Sequence, residues 1–159
     1  MKNATNEACG TATADRATGH AVRRSIGRAI PSDLSAVDGV CRDVRALLEG
    51  HGAADRCFAA ELLLREFLNN AILHGNRSDA RKLVRMTATV GRKWIVIRIA
   101  DEGPGFDWRT RRRAPPEVEA TSGRGLAIGA LYAQRLRFNR AGNQVTLWIV
   151  KTATRERTS

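Results

Sequence analysis

The sequence predicts a two-layer α+β sandwich, in which a mixed, mostly antiparallel sheet is covered on one face by helices. Three observations lead to it. Apolar residues recur at helical spacing from Leu34 to Leu48 and again from Phe58 to Leu73. Between Val84 and Ala100 the period changes to two, with a turn in the middle. A third helical stretch, from Arg124 to Arg135, is followed by another pair of strand patterns ending at Val150. Hairpins imply antiparallel neighbours, and helices grouped in this way pack on one side of the sheet.

Residues 1–19 are rich in Ala, Thr, Asn and Gly without apolar periodicity, and read as a flexible tail. Residues 152–159 read the same way, leaving one domain over 20–151. Val22, Ile26 and Ile30 mark a strand within Ala21–Ile30. Pro31-Ser32 opens a helix with Ser32 as its N-cap. Its apolar face is Leu34, Val37, Val40, Cys41, Val44, Leu47 and Leu48, and Gly50 is its stop. A second helix runs from about Asp55 to His74, with Gly75 placed to end it. It is apolar almost all round, which predicts burial on most sides.

Val84, Met86, Ala88 and Val90 alternate with polar residues, as a half-buried strand does. Gly91-Arg92 is a two-residue turn signal leading into a return strand, Trp94–Ala100. Ile95, Ile97 and Ile99 share one face of that strand, and Asp101 is next on it. Residues 102–122 form a Gly-, Pro- and charge-rich loop. Leu136–Phe138 and Val145–Val150 are two more strands joined around Gly142-Asn143.

Composition bounds the function. A chain of 159 residues with 43% hydrophobic and 27% charged residues suits one soluble globular domain. No apolar run reaches the length of a membrane span, and residues 1–19 lack a secretory apolar stretch, so a cytoplasmic protein without membrane attachment is expected. Cys9, Cys41 and Cys57 are odd in number and lack CxxC spacing, which indicates neither a disulfide framework nor a zinc site. Cys41 and Cys57 read as small core residues, and His20 and His51 as surface residues. The net charge is +11, almost all from arginine. Such a charge is compatible with anionic partners, but compositional bias is the plainer explanation until a site claims it.

Three segments carry chemistry. Glu66, Asn70 and His74 fall at i, i+4 and i+8 and make a polar stripe on an otherwise apolar helix. Glu61, Arg65 and Asn69 make a second stripe that reads as a solvated face. An inward carboxylate and carboxamide need partners, and a hard cation shared with phosphates suits their oxygens. Asp101-Glu102-Gly103-Pro104-Gly105 follows a strand. Its carboxylate would accept from an exocyclic amine, and its glycines would let a flat ring approach the backbone. Taken alone, the segment reads better as a plain tight turn after a strand; a calcium loop fits badly, because Gly stands at ligand positions and Arg112 where a bidentate acid is needed. Gly123-Arg124-Gly125-Leu126 opens a predicted helix, where free N–H groups favour phosphate. It is neither a P-loop nor a dinucleotide fingerprint.

The order is more specific than its parts. Glu66-x-x-x-Asn70-Ala71-Ile72-Leu73-His74-Gly75, then Asp101-x-Gly103-x-Gly105, then Gly123-x-Gly125, resembles the N box and two glycine boxes of the GHKL ATP-binding superfamily. Within it the chain is similar to the anti-sigma factor serine/threonine kinases of partner-switching systems, from about Ala21 to Lys151. The resemblance implies that Glu66 is the general base and that Asn70 binds magnesium. It implies that Asp101 takes the adenine amine, with Gly103 and Gly105 beside the ring. Gly123, Arg124, Gly125 and Leu126 would hold phosphates. Either Gln144 or Thr146 would approach the adenine, because Gly142-Asn143-Gln144-Val145-Thr146 departs from the family's usual hairpin. The implied cofactors are ATP and Mg2+. The implied partners are a STAS-domain anti-anti-sigma protein, a sigma factor and a second copy of the chain.

Two other readings compete: a non-catalytic ATP-binding module that captures such partners, and an isolated histidine-kinase-type ATPase domain. The last is weaker, since no helical segment with a phosphoacceptor His precedes the domain. Direct nucleic-acid binding ranks below all of these, because no recognition helix or finger spacing stands out. Arg109, Arg111, Arg112 and Arg113 would lie in a nucleotide lid and would give part of the charge a purpose.

Overall fold

The computed structural model describes residues 24–107 and 124–151, with backbone alone for 124–127. Strand β1 (Arg24–Pro31) leads through a 3-10 turn into α1 (Val37–Glu49). A second 3-10 turn precedes α2 (Cys57–Asn70), whose end widens into a π-type turn, Ala71–Gly75. Strands β2 (Leu83–Val90) and β3 (Trp94–Ala100) form a hairpin. Helix α3 (Arg124–Tyr132), β4 (Arg135–Phe138) and β5 (Gln144–Val150) complete the chain. The strand order is β1-β2-β3-β5-β4.

This is the predicted α+β sandwich. Every described pairing is antiparallel, so the sheet is not mixed. β3 and β4 run the same way, but β5 lies between them.

Register decides what faces the helices. Ile99 pairs with Val145, Ile97 with Leu147 and Ile95 with Ile149, and all six are buried. Val84, Met86, Ala88, Val90 and Ile30 extend this face across β2 and β1. Because side chains alternate, the intervening residues lie on the opposite face. There Arg98 and Arg137 flank Thr146, and the Arg135 guanidinium lies 5.8 Å from the Trp148 ring centroid. Part of the positive charge therefore sits on the sheet's far face. The four lid arginines lie outside the described residues.

Several local expectations shift. Ser32 is not a helix cap: it is buried, donates to the Lys82 carbonyl and accepts from Asn76. Asp33 caps instead, accepting from the Ser35 N–H at 2.8 Å. The hairpin turn centres on Arg92-Lys93, one residue later than expected, since Val90 faces Ile95 and the Gly91 N–H donates to the Trp94 carbonyl. α3 ends at Tyr132, because Arg135 already pairs with Trp148 in the sheet. Phe58 is 68% exposed on α2, its ring meeting the edge of Tyr132, and Leu73 is also exposed, so α2 is less enclosed than its composition implies. His51 is half-buried, its Nδ1 2.6 Å from the Leu47 carbonyl, rather than a surface residue. Cys41 and Cys57 are buried free thiols in the core, as read from the sequence. Glu61 and Arg65 tie the helices together: Arg65 bridges Glu61 and Asp38, and Arg45 also reaches Glu61.

Candidate functional site

The C-terminal end of α2, the end of β3 and the β4–β5 turn meet around a cavity of about 290 Å³. Helix α2 supplies Phe67, Asn70, Ala71 and His74 to its wall. The sheet supplies Ile99, Asp101 and Val145. The loops supply Gly105, Phe106, Phe138 and Asn143, and the Phe106 and Phe138 rings meet edge to face at 5.2 Å. Such a mainly apolar cleft with a few converging polar groups is the usual form of a small-molecule site.

Glu66 and Asn70 are one helical turn apart, and the Asn70 amide nitrogen donates to Glu66 Oε1 at 3.1 Å. Both are partly exposed. Asn70 lines the cavity and Glu66 stands beside it through this bond, outside the lining itself. The donation commits the nitrogen of Asn70 and leaves its carbonyl oxygen for a hard cation. Among the described residues no cluster of three or more His, Cys, Asp or Glu could hold a metal alone. A magnesium ion here would take most of its ligands from water and phosphate, as that ion commonly does.

Asp101 continues the buried isoleucine face of β3. Its backbone N–H donates to the Asn143 carbonyl, and its Oδ1 accepts from the Gly103 N–H at 2.8 Å. Burial pushes its carboxyl above the ordinary aspartate range, opposed in part by the backbone N–H groups and by Lys82.

The glycines of the 101–105 loop pack closely against the protein's own backbone. A side chain on Gly103 would strike the Gly75 carbonyl, and one on Gly105 would strike the Ala141 carbonyl. Both positions make room for the protein's own backbone, and Gly105 also lines the cavity. Gly75 is no left-handed helix stop, since its φ is not positive. A Cβ there would overlap the Asp101 carboxyl.

Of the alternatives in the last strand, Gln144 and not Thr146 lines the cavity. Thr146 alternates with Val145 and Leu147 and so lies on the far face of the sheet, paired with Arg98 and Arg137. Gly123 lies outside the described residues. Arg124, Gly125 and Leu126 open α3 as expected, with side chains outside the description. Composition did not single out Phe106, Phe138, Asn139 or Asn143. The available signal was Asn139-x-x-Gly142, a spacing typical of side-chain-closed turns.

The fold and site define a nucleotide-sized cleft at the C-terminal ends of α2 and β3 in an antiparallel α+β sandwich. The family model for the histidine kinase-like ATPase domain matches residues 30–149. The chain belongs to that family. A comparison with curated proteins found no significant match.

Proposed function

We propose that this chain is an ATP-dependent serine/threonine kinase and anti-sigma factor, phosphorylating a STAS-domain anti-anti-sigma partner and sequestering a sigma factor. The observation that carries the reading is the Glu66–Asn70 hydrogen bond beside the cavity that Asn70 lines. It ties the Glu66 carboxylate to the Asn70 amide nitrogen and leaves the carboxamide oxygen, a ligand type that suits magnesium. ATP is the substrate, with its adenine amine toward Asp101 and its phosphates toward the start of α3. The ion, when bound, neutralises phosphate charge.

The acceptor hydroxyl comes from the partner. Glu66 takes its proton as the hydroxyl oxygen attacks the γ-phosphorus, the bond to the β-γ bridging oxygen breaks, and ADP leaves. Asn70 holds Glu66 in place through its amide nitrogen, and its carbonyl oxygen would be a ligand for the ion. The family resemblance also supports a homodimer and a cytoplasmic setting; among the described residues no helix is long and apolar enough to cross a membrane.

The test is incubation with labelled ATP, magnesium and candidate STAS-domain proteins from the same source. Transfer from wild type and its loss of at least about 100-fold in Glu66→Gln are expected for a general base. Tight ATP binding and partner capture with no transfer would replace the kinase with a non-catalytic ATP-binding module.

A further inference from the structure

The β4–β5 turn carries a polar cluster whose purpose lies outside the turn. Asn139 Oδ1 accepts from three successive backbone N–H groups, those of Gly142, Asn143 and Gln144, at 2.8, 3.1 and 3.2 Å. Its Nδ2 donates to Asn143 Oδ1 at 2.7 Å. That bond orients the Asn143 amide so that its Nδ2 reaches the Gly103 carbonyl at 3.3 Å. The Asn143 carbonyl meanwhile accepts the N–H of Asp101. A side chain on Gly142 would strike the Phe106 backbone, and one on Gly105 the Ala141 carbonyl. Both glycines have positive φ, +81° and +79°. The turn and the 101–106 loop are thus interlocked at two glycines and joined through one oriented carboxamide.

We propose that Asn139 and Asn143 are positioning residues: a clasp that fixes the Asp101–Phe106 wall and so sets the shape of the cavity where a nucleotide base enters. Asn139 acts through Asn143, whose carboxamide it orients by donating to Oδ1. The consequence for nucleotide binding rests on the ATP reading above, whereas the clasp itself belongs to the free protein.

The experiment compares wild type with Asn143→Ala and Asn139→Asp. The aspartate keeps an acceptor for the three N–H groups, so the turn survives. It loses the donor, and an Asn143 amide that flips to face it gives up Gly103. Melting temperatures close to wild type are expected for Asn139→Asp. In both variants the amides of Asp101, Glu102, Gly103, Gly105 and Phe106 should exchange hydrogen about tenfold faster, and Kd for Mg-ATP should rise about tenfold, the scale of one well-placed hydrogen bond. The double variant should be no worse than either single one, because both break the same link. Unchanged exchange at 101–106 in both variants overturns the clasp. Faster exchange with unchanged Kd overturns its role in binding. A wild type that binds no Mg-ATP overturns the ATP reading instead, and the exchange data still judge the clasp.

Discussion

The Asp101 carboxyl occupies the space where a side chain at Gly75 would begin. These two residues end the two elements that build the cavity: Gly75 closes the turn after α2, and Asp101 follows β3. The Gly75 carbonyl fills the place of a Cβ on Gly103 in turn, so the two chain segments interlock at both glycines. The glycine following His74 is there because a carboxylate must fit beside it.

Gly75→Ala should therefore act on Asp101 more than on the helix. The added methyl forces the carboxyl or the turn aside, an overpacking of about 1–3 kcal/mol. Thermal unfolding should show this loss, and calorimetric titration should show Mg-ATP binding weakened by about tenfold or more. An alanine variant with wild-type affinity would show that Asp101 can move without consequence.

Asn76, one residue on, is fully buried and joins three segments. Its Nδ2 donates to Ser32 Oγ at 2.9 Å and to the Leu83 carbonyl at 3.0 Å, and its Oδ1 accepts the Glu102 N–H at 2.7 Å. Asn76→Ala leaves these partners unsatisfied, which costs roughly 2–4 kcal/mol. Urea unfolding should show a lower midpoint with an unchanged slope. A loss below about 1 kcal/mol would mean that water replaces the carboxamide.

Asp101 also makes stability depend on pH. Its folded pKa is raised by burial, so the folded protein holds a proton more tightly than the unfolded chain. That contribution is present below the ordinary aspartate pKa of 3.8 and is lost as pH rises through the higher folded value. Asp101→Asn removes the titration while keeping an oxygen for the Gly103 N–H. The melting temperature of this variant relative to wild type should be higher at pH 7 than at pH 4. A difference independent of pH would remove Asp101 as the titrating group.

Glu61 has the opposite sign. Hydrogen bonds from Arg45 and Arg65 hold its pKa below the ordinary range. Its contribution is lost as pH falls through the lowered value. Because the arginines are nearly half-exposed, Glu61→Gln should cost under about 1 kcal/mol, and less in 1 M salt than at low salt. A loss insensitive to salt would mark it as a packing effect.

The elements and the layer arrangement were legible along the chain because they depend on local spacing. Ile95, Ile97 and Ile99 announce a buried strand face wherever that strand is placed. The period of α2 likewise sets Glu66 and Asn70 one turn apart, so their hydrogen bond was implicit in the spacing. Non-local contacts were not legible. Which face holds Thr146 depends on strand register, and a shift of one residue would reverse it. That Gly75, Gly103 and Gly105 are filled by Asp101, Gly75 and Ala141 follows from segments more than 25 residues apart in all three cases. Asn143 reaches Gly103 across 40 residues of chain. Spacing along a chain encodes periodicity, whereas the meeting of distant loops is settled only when packing brings their backbones together.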